Sequence, residues 1–166
     1  MHGLKALSTD ALEAALAKAE RYRLLNEPAE TESICHDILA ADPRNQAAAV
    51  MLILSLTDQF ARDRKHVREA LDLLPSLTDP YERLYYTGLV LERRAKSRHE
   101  LGGPAANHAV HQWITDAMAK FAEAEAIRPA GNDDSLLRWN ACARFLARHP
   151  EVCPEPEEQR DAVMSE

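Results

Sequence analysis

Ala117, Phe121, Ala124 and Pro129 stand at successive offsets of four, three and five, and this series constrains the fold more than any other stretch of the chain. A helix has 3.6 residues per turn, so side chains four and then three apart stack on one side of it. A phenylalanine between two alanines lets a neighbouring helix come close. The proline then ends the run, because it lacks an N–H donor and clashes with the preceding turn. The spacing predicts a packed helix face followed by a stop.

The rest of the chain is made of the same material. Ala, Leu, Glu and Arg recur throughout, while only 5% of residues are aromatic and there are five glycines, a composition for helices rather than sheets. At 166 residues the chain suits one domain and a tail. Ser8-Thr9-Asp10 with Glu13 predicts a capped start and a first helix over 11–25, broken by Asn26-Glu27-Pro28. A second helix is expected over 29–41, with Ile34, Cys35, Ile38 and Leu39 inward, ending at Asp42-Pro43. The third, 45–60, is apolar nearly all round and so covered on more than one side. A fourth spans 64–74 before Pro75, and Asp79-Pro80-Tyr81-Glu82 is the sharpest start in the chain. The fifth runs over 80–101 to Gly102-Gly103, the sixth over 104–127, and the last from Gly131-Asn132-Asp133-Asp134 to His149-Pro150. The fold class expected is all-α, with about seven helices.

The opening series recurs. Thr31, Cys35, Ile38 and Pro43 repeat its offsets, and Ala70, Leu74 and Leu77 repeat the first two. In the helices between, Ala19 and Tyr22, Ile53 and Leu56, and Gly88 and Leu91 form pairs three apart, where a small or apolar seam is wanted. Over residues 11–149 this resembles the tetratricopeptide repeat family, whose unit of about 34 residues is a helix-turn-helix with a proline near its end. Pro43 to Pro80 is 37 residues, near one unit, and Pro80 to Pro129 is 49. The tryptophan the family places early in each repeat is missing, so the resemblance rests on spacing. It implies antiparallel helix pairs stacked as a short right-handed α-solenoid over 1–149. The extra residues between Arg94 and Trp113 imply an extended hairpin near 95–112, each helix about 10 Å longer and projecting past the stack.

Charge narrows the partners. The formal net charge is −7, and residues 150–166 hold six acids against Arg160. This acidic tail is expected to be disordered, and it leaves a near-neutral body without the clustered Lys and Arg that nucleic acid or an anionic membrane would require. No window approaches a membrane span of about 18 apolar residues. The opening Met1-His2-Gly3-Leu4-Lys5 lacks a secretory core, and three cysteines (Cys35, Cys142, Cys153) without a CxxC spacing suggest neither a disulfide framework nor a zinc knuckle, so a cytoplasmic home is expected.

Chemistry has little behind it. No Gly-rich phosphate loop, GxSxG elbow or Rossmann fingerprint occurs, so neither an enzyme nor a cofactor is expected. Cys35 and Cys142 read as core thiols. His99, His108 and His111 would share the hairpin tip and could ligate zinc, the alternative being a solvated polar tip. A helical metal-binding protein is therefore one alternative function.

Stacked pairs curve, and the first helix of each pair lines the inner surface. By the family's pattern that face would carry Leu16, Glu20 and Arg23, then Val50 and Leu54, then Tyr85, Leu89 and Glu92, with Arg138 from the last helix. The resemblance thus implies a protein-protein interaction module that takes a peptide or partner protein in a concave groove, apolar at its centre. Leu16, Glu20, Val50 and Leu54 replace the lysines and asparagines with which some members clamp a terminal carboxylate, so an amphipathic helix or extended apolar peptide fits better. Size and acidity also resemble the small cytoplasmic chaperones of bacterial secretion, although their glycine-rich repeat start is absent. An exposed apolar helix at either end would allow a homodimer.

Overall fold

Helix boundaries follow the start and stop residues closely. The computed structural model describes residues 3–156, and within them the chain is all-helical, with seven α-helices and no strand. These are α1 Leu12–Leu24, α2 Pro28–Ala41, α3 Gln46–Thr57, α4 Lys65–Leu73, α5 Pro80–Glu100, α6 Asn107–Ala126 and α7 Asp134–Arg148. Pro28 and Pro80 occupy first-turn positions, where their missing N–H costs nothing. The Asn45 side chain accepts from the Ala48 N–H at 3.0 Å, and Asp79 accepts from the Glu82 N–H at 2.9 Å. Asn26 takes the left-handed conformation at φ 61°, with Glu27 N–H to Tyr22 C=O at 2.9 Å and Asn26 N–H to Arg23 C=O at 3.0 Å. That pair of bonds is a Schellman ending. Gly102 and Gly103, at φ 77° and 99°, turn the chain after α5.

One expected cap fails. The Asp10 side chain caps nothing; a single 3-10 turn, Thr9–Ala11, leads into α1 instead. A second 3-10 turn, Leu74–Ser76, follows α4 because Pro75 denies the helix its next donor.

Helices adjacent in sequence pack together all along the chain, and α5 with α6 form the most extensive pair. In addition α1 packs on α3, α3 on α5, and α5 on α7. Both repeated series face inward: Thr31, Cys35 and Ile38, like Ala117, Phe121 and Ala124, have no exposed surface. Thr31 brings a hydroxyl into this seam and satisfies it by donating to the Ala19 carbonyl at 2.9 Å, tying α2 to α1. Two apolar clusters result. One joins Cys35, Leu52, Ile53, Leu56, Leu77 and Val90; the other joins Leu89, Val110, Ile114, Phe121, Phe145 and Val152.

The last of these residues shifts the expected boundary at 149. Val152 is buried in the second cluster, and its N–H bonds the His149 carbonyl at 2.9 Å. A lone valine among acids and prolines anchors this stretch because α7 and the hairpin leave an apolar gap for it. Residues 157–166, the greater part of the predicted tail, lie outside the described residues. The hairpin does not project bare: Ala95, Ala106 and Val110 are buried beneath this segment and α7. No helix among the described residues is long and apolar enough to cross a membrane.

Candidate functional site

The odd-numbered helices touch one another in succession, and a single carboxylate ties three of them together. Val50, Leu54 and Asp58 follow one another at four-residue steps along α3 and its end. Arg23, from the last turn of α1, donates from Nε to Asp58 Oδ2 at 2.7 Å and from Nη2 to Oδ1 at 3.3 Å. Arg93 of α5 approaches the same carboxylate from the other side and donates to Thr57 Oγ1 at 3.0 Å. These side chains are about a quarter exposed, so each pair contributes on the order of 1 kcal/mol or less. What the arrangement sets is the spacing of the helices at one end of the face.

The centre of the face is apolar and aromatic. Val50 and Leu54 are half-buried, and Leu54 packs on the same cluster as Tyr85. Tyr81 and Tyr85 stack with ring centroids 5.9 Å apart and 15° between planes, while Tyr85 meets Tyr86 edge-on at 5.1 Å. The Tyr81 hydroxyl donates to Asn132 Oδ1 at 3.3 Å. Tyr85 also leans on Phe121, so its ring is held by the α5–α6 seam while its edge remains accessible.

Beyond the tyrosines lies a charged end. Arg138 of α7 reaches Glu92 Oε1 at 3.5 Å, and Lys96 pairs with the same oxygen. Burial pulls the Arg138 guanidinium down, but the Glu92 carboxylate and the Tyr85 hydroxyl outweigh it and hold the group above its usual range.

Of the residues expected on this face, Leu16, Val50, Leu54, Tyr85 and Arg138 are half-buried and Glu20 is exposed. Arg23 is committed to Asp58. Leu89 and Glu92 depart from expectation: Leu89 is 2% exposed and Glu92 is 0% exposed. The register of α5 turns both into the α6–α7 side, so neither offers surface to a partner. Sequence reading missed Tyr81, Asp58 and Arg93. Tyr81 lies one turn before Tyr85 and Asp58 one turn after Leu54, so extending each four-residue step would have found them.

The expected histidine group is redistributed. His99 faces His149, with ring centroids 4.5 Å apart, and its Nε2 lies 3.8 Å from Glu151 Oε1. His149 Nδ1 is 3.1 Å from the same oxygen, so His99, His149 and Glu151 are brought together as ligand-type atoms. His108 turns away, its Nδ1 3.0 Å from the Cys153 carbonyl, and His111 lies one turn further along α6. Chain reversal after α7 brings His149 and Glu151 to His99, and no spacing within the hairpin could signal it.

Two of the three thiols are buried. Burial pushes both Cys35 and Cys142 up to about 12, and Cys153 is exposed. Comparison with known proteins finds no family model, no curated protein and no solved structure that matches the chain.

Proposed function

We propose that this chain is a tetratricopeptide-type interaction module, a short right-handed stack of helix pairs that holds a protein or peptide on its odd-helix face and performs no catalysis. The observation that carries the reading is the row of half-buried Val50, Leu54, Tyr81 and Tyr85, bounded by Arg23–Asp58–Arg93 at one end and Glu92–Arg138 at the other. Contacts of α1 with α3, α3 with α5 and α5 with α7 support the stacking, since the first helices of successive pairs touch in such a stack. A rigid tyrosine pair offers a large contact area at low entropic cost, which suits an apolar peptide anchor. Leu24 and Leu25 at the end of α1, 78% and 62% exposed, and Leu137 on α7, 61% exposed, support self-association through the ends. The proposal places the protein in the cytoplasm, without cofactor, nucleic acid or membrane.

The test is panning of a random-peptide library against the folded chain, with the enriched peptide mapped by amide chemical shifts. Shifts at Val50, Leu54, Tyr81 and Tyr85, and loss of binding in Tyr81→Ala/Tyr85→Ala, are expected. Leu89→Ala is unsuitable, because that side chain is core. Enriched peptides that shift only α2, α4 or α6 would remove the reading.

A further inference from the structure

Two walls of one cleft carry arginines and a leucine at the same spacing. Arg64, Val67, Arg68 and Leu71 share a face of α4 and its entry, and Arg94, Ser97, Arg98 and Leu101 share a face of α5 and its exit. Each set is spaced three, four and seven residues from its first arginine, the spacing of one helical face. The two faces look across a cavity of about 340 Å³ whose floor includes Phe60 and Trp113. Four arginines therefore line an apolar hole, and among the described residues no aspartate or glutamate lines it.

Nothing within the described residues neutralises them. Arg23, Arg93, Arg128 and Arg138 each pair with a carboxylate, whereas Arg64, Arg68, Arg94 and Arg98 pair with none among the described residues. Among the described residues Arg98 donates only to the Gly102 carbonyl, at 2.7 Å. Arg94 stacks its guanidinium 3.8 Å from the Trp113 ring centroid, a contact that orients the cation without cancelling its charge. Burial holds Arg94 below the usual arginine range with no carboxylate to offset it. Glu69 and Asp72 of α4 open onto an adjoining shallow groove that Arg68 also lines, but neither pairs with Arg68 within ion-pair distance, and Glu69 pairs with His36 at 3.3 Å. In a chain of net charge −7, four uncompensated cations in one cleft form a local field opposite to that of the whole.

We propose that this cleft docks an acidic peptide segment, which inserts one large apolar side chain between the two arginine pairs while its carboxylates engage the guanidiniums. The distribution of charge favours a peptide over a small amphiphile. One carboxylate is satisfied by one or two guanidiniums, whereas two on each wall, about 6 Å apart along each helix at 1.5 Å per residue, match several carboxylates spread around an apolar anchor. The cavity is at the small end of the roughly 300–1,000 Å³ typical of ligand pockets, suited to an anchoring side chain rather than a cofactor. An apolar floor and a net negative chain disfavour nucleic acid. The site lies on α4, α5 and α6, away from the tyrosine row, and stands independently of the function proposed above.

The chain has two tryptophans, so a Trp139→Phe background leaves Trp113 as the reporter. The probes are blocked seven-residue peptides of Asp and Glu with Leu, Phe or Tyr at the centre. Expected is a saturable change in Trp113 emission that weakens with salt, and an affinity at least about tenfold lower in Arg64→Ala/Arg68→Ala, whose side chains are exposed and outside both cores. Arg94→Met should lose as much, and a peptide with Gly at the centre should not bind. Tyr85→Ala should bind as the parent does, and loss there would move the site to the other face and overturn the proposal. It is also overturned if no peptide of the panel binds by about 1 mM, or if the arginine variants bind unchanged. Tighter binding of dodecanoate or a single-stranded oligonucleotide would assign the cleft to another ligand. Binding only after removal of residues 157–166 would assign it to the chain itself.

Discussion

Glu92 has no exposed surface, and among the described residues its Oε2 receives no hydrogen bond, so the compensation they give this carboxylate comes through Oε1 from Lys96 and Arg138. Those two cations are about one-third exposed and can return to water if Glu92 is neutralised, whereas Glu92 cannot. Lys96→Met/Arg138→Met should therefore cost about 3 kcal/mol in urea unfolding, and adding Glu92→Gln should recover part of it. An unchanged midpoint in the double variant would mean that the carboxylate is held by something else. The buried thiols make stability depend on pH in the alkaline range. Cys35 and Cys142 stand at about 12, raised by burial, against about 8.5 in an unfolded chain. Folding thus favours the protonated thiol: the contribution is complete below about pH 8.5 and lost between there and about pH 12. Melting temperature should fall as pH rises above about 8.5, less steeply in Cys142→Ala, and at pH 8 Ellman's reagent should label one thiol, Cys153, until denaturant exposes all three.

At the scale of the helices, the four-three series was legible because it obeys helix geometry alone, and the structure shows why its partner is a glycine. A Cβ built on Gly88 would lie 2.7 Å from Phe121 Cε1, and Phe121 is fully buried, with no room to withdraw. Two effects compete in Gly88→Ala: helix propensity gains up to about 1 kcal/mol, and overpacking costs about 1–3 kcal/mol. Overpacking should win, because the ring meeting the new methyl is fixed by Tyr85 and the α5–α6 seam. The variant should be less stable by about 1–2 kcal/mol, and Gly88→Ala/Phe121→Leu should regain some of it; a more stable single variant would show that the helices separate freely. Helix ends were legible at Asp79-Pro80 and Gly102-Gly103, where covalent structure dictates the backbone. At Asp10 the acid had the right spacing, but Thr9–Ala11 takes a 3-10 turn and the side chain caps nothing. Of the candidate face, the α3 residues were legible, while Leu89 and Glu92 were not. On a helix packed on three sides, a single apolar period cannot say which neighbour claims a residue.

The whole molecule hangs on α5. Val90 belongs to the first apolar cluster, Leu89 and Ala95 belong to the second, and Tyr86 packs against both. No residue of α6 or α7 is buried in the first cluster, and none of α1 to α4 is buried in the second. A chain of helices packed in sequence can open piece by piece, each cluster by itself, or it can open as one if the shared helix cannot fold with half its partners. The shared helix buries adjacent residues on opposite sides, so losing either cluster exposes one whole face of α5. That favours a single opening. Leu56→Ala, deep in the first cluster, should cost about 3 kcal/mol, and amide exchange in α6 should then accelerate by roughly two orders of magnitude although α6 has no buried residue in that cluster. If α6 and α7 keep their protection while α1 to α4 lose theirs, the two clusters open separately and α5 stays folded on the second alone. The cleft between α4 and α5 spans this junction, so single opening also means that a ligand seated between Arg68 and Arg98 should slow exchange in both halves together.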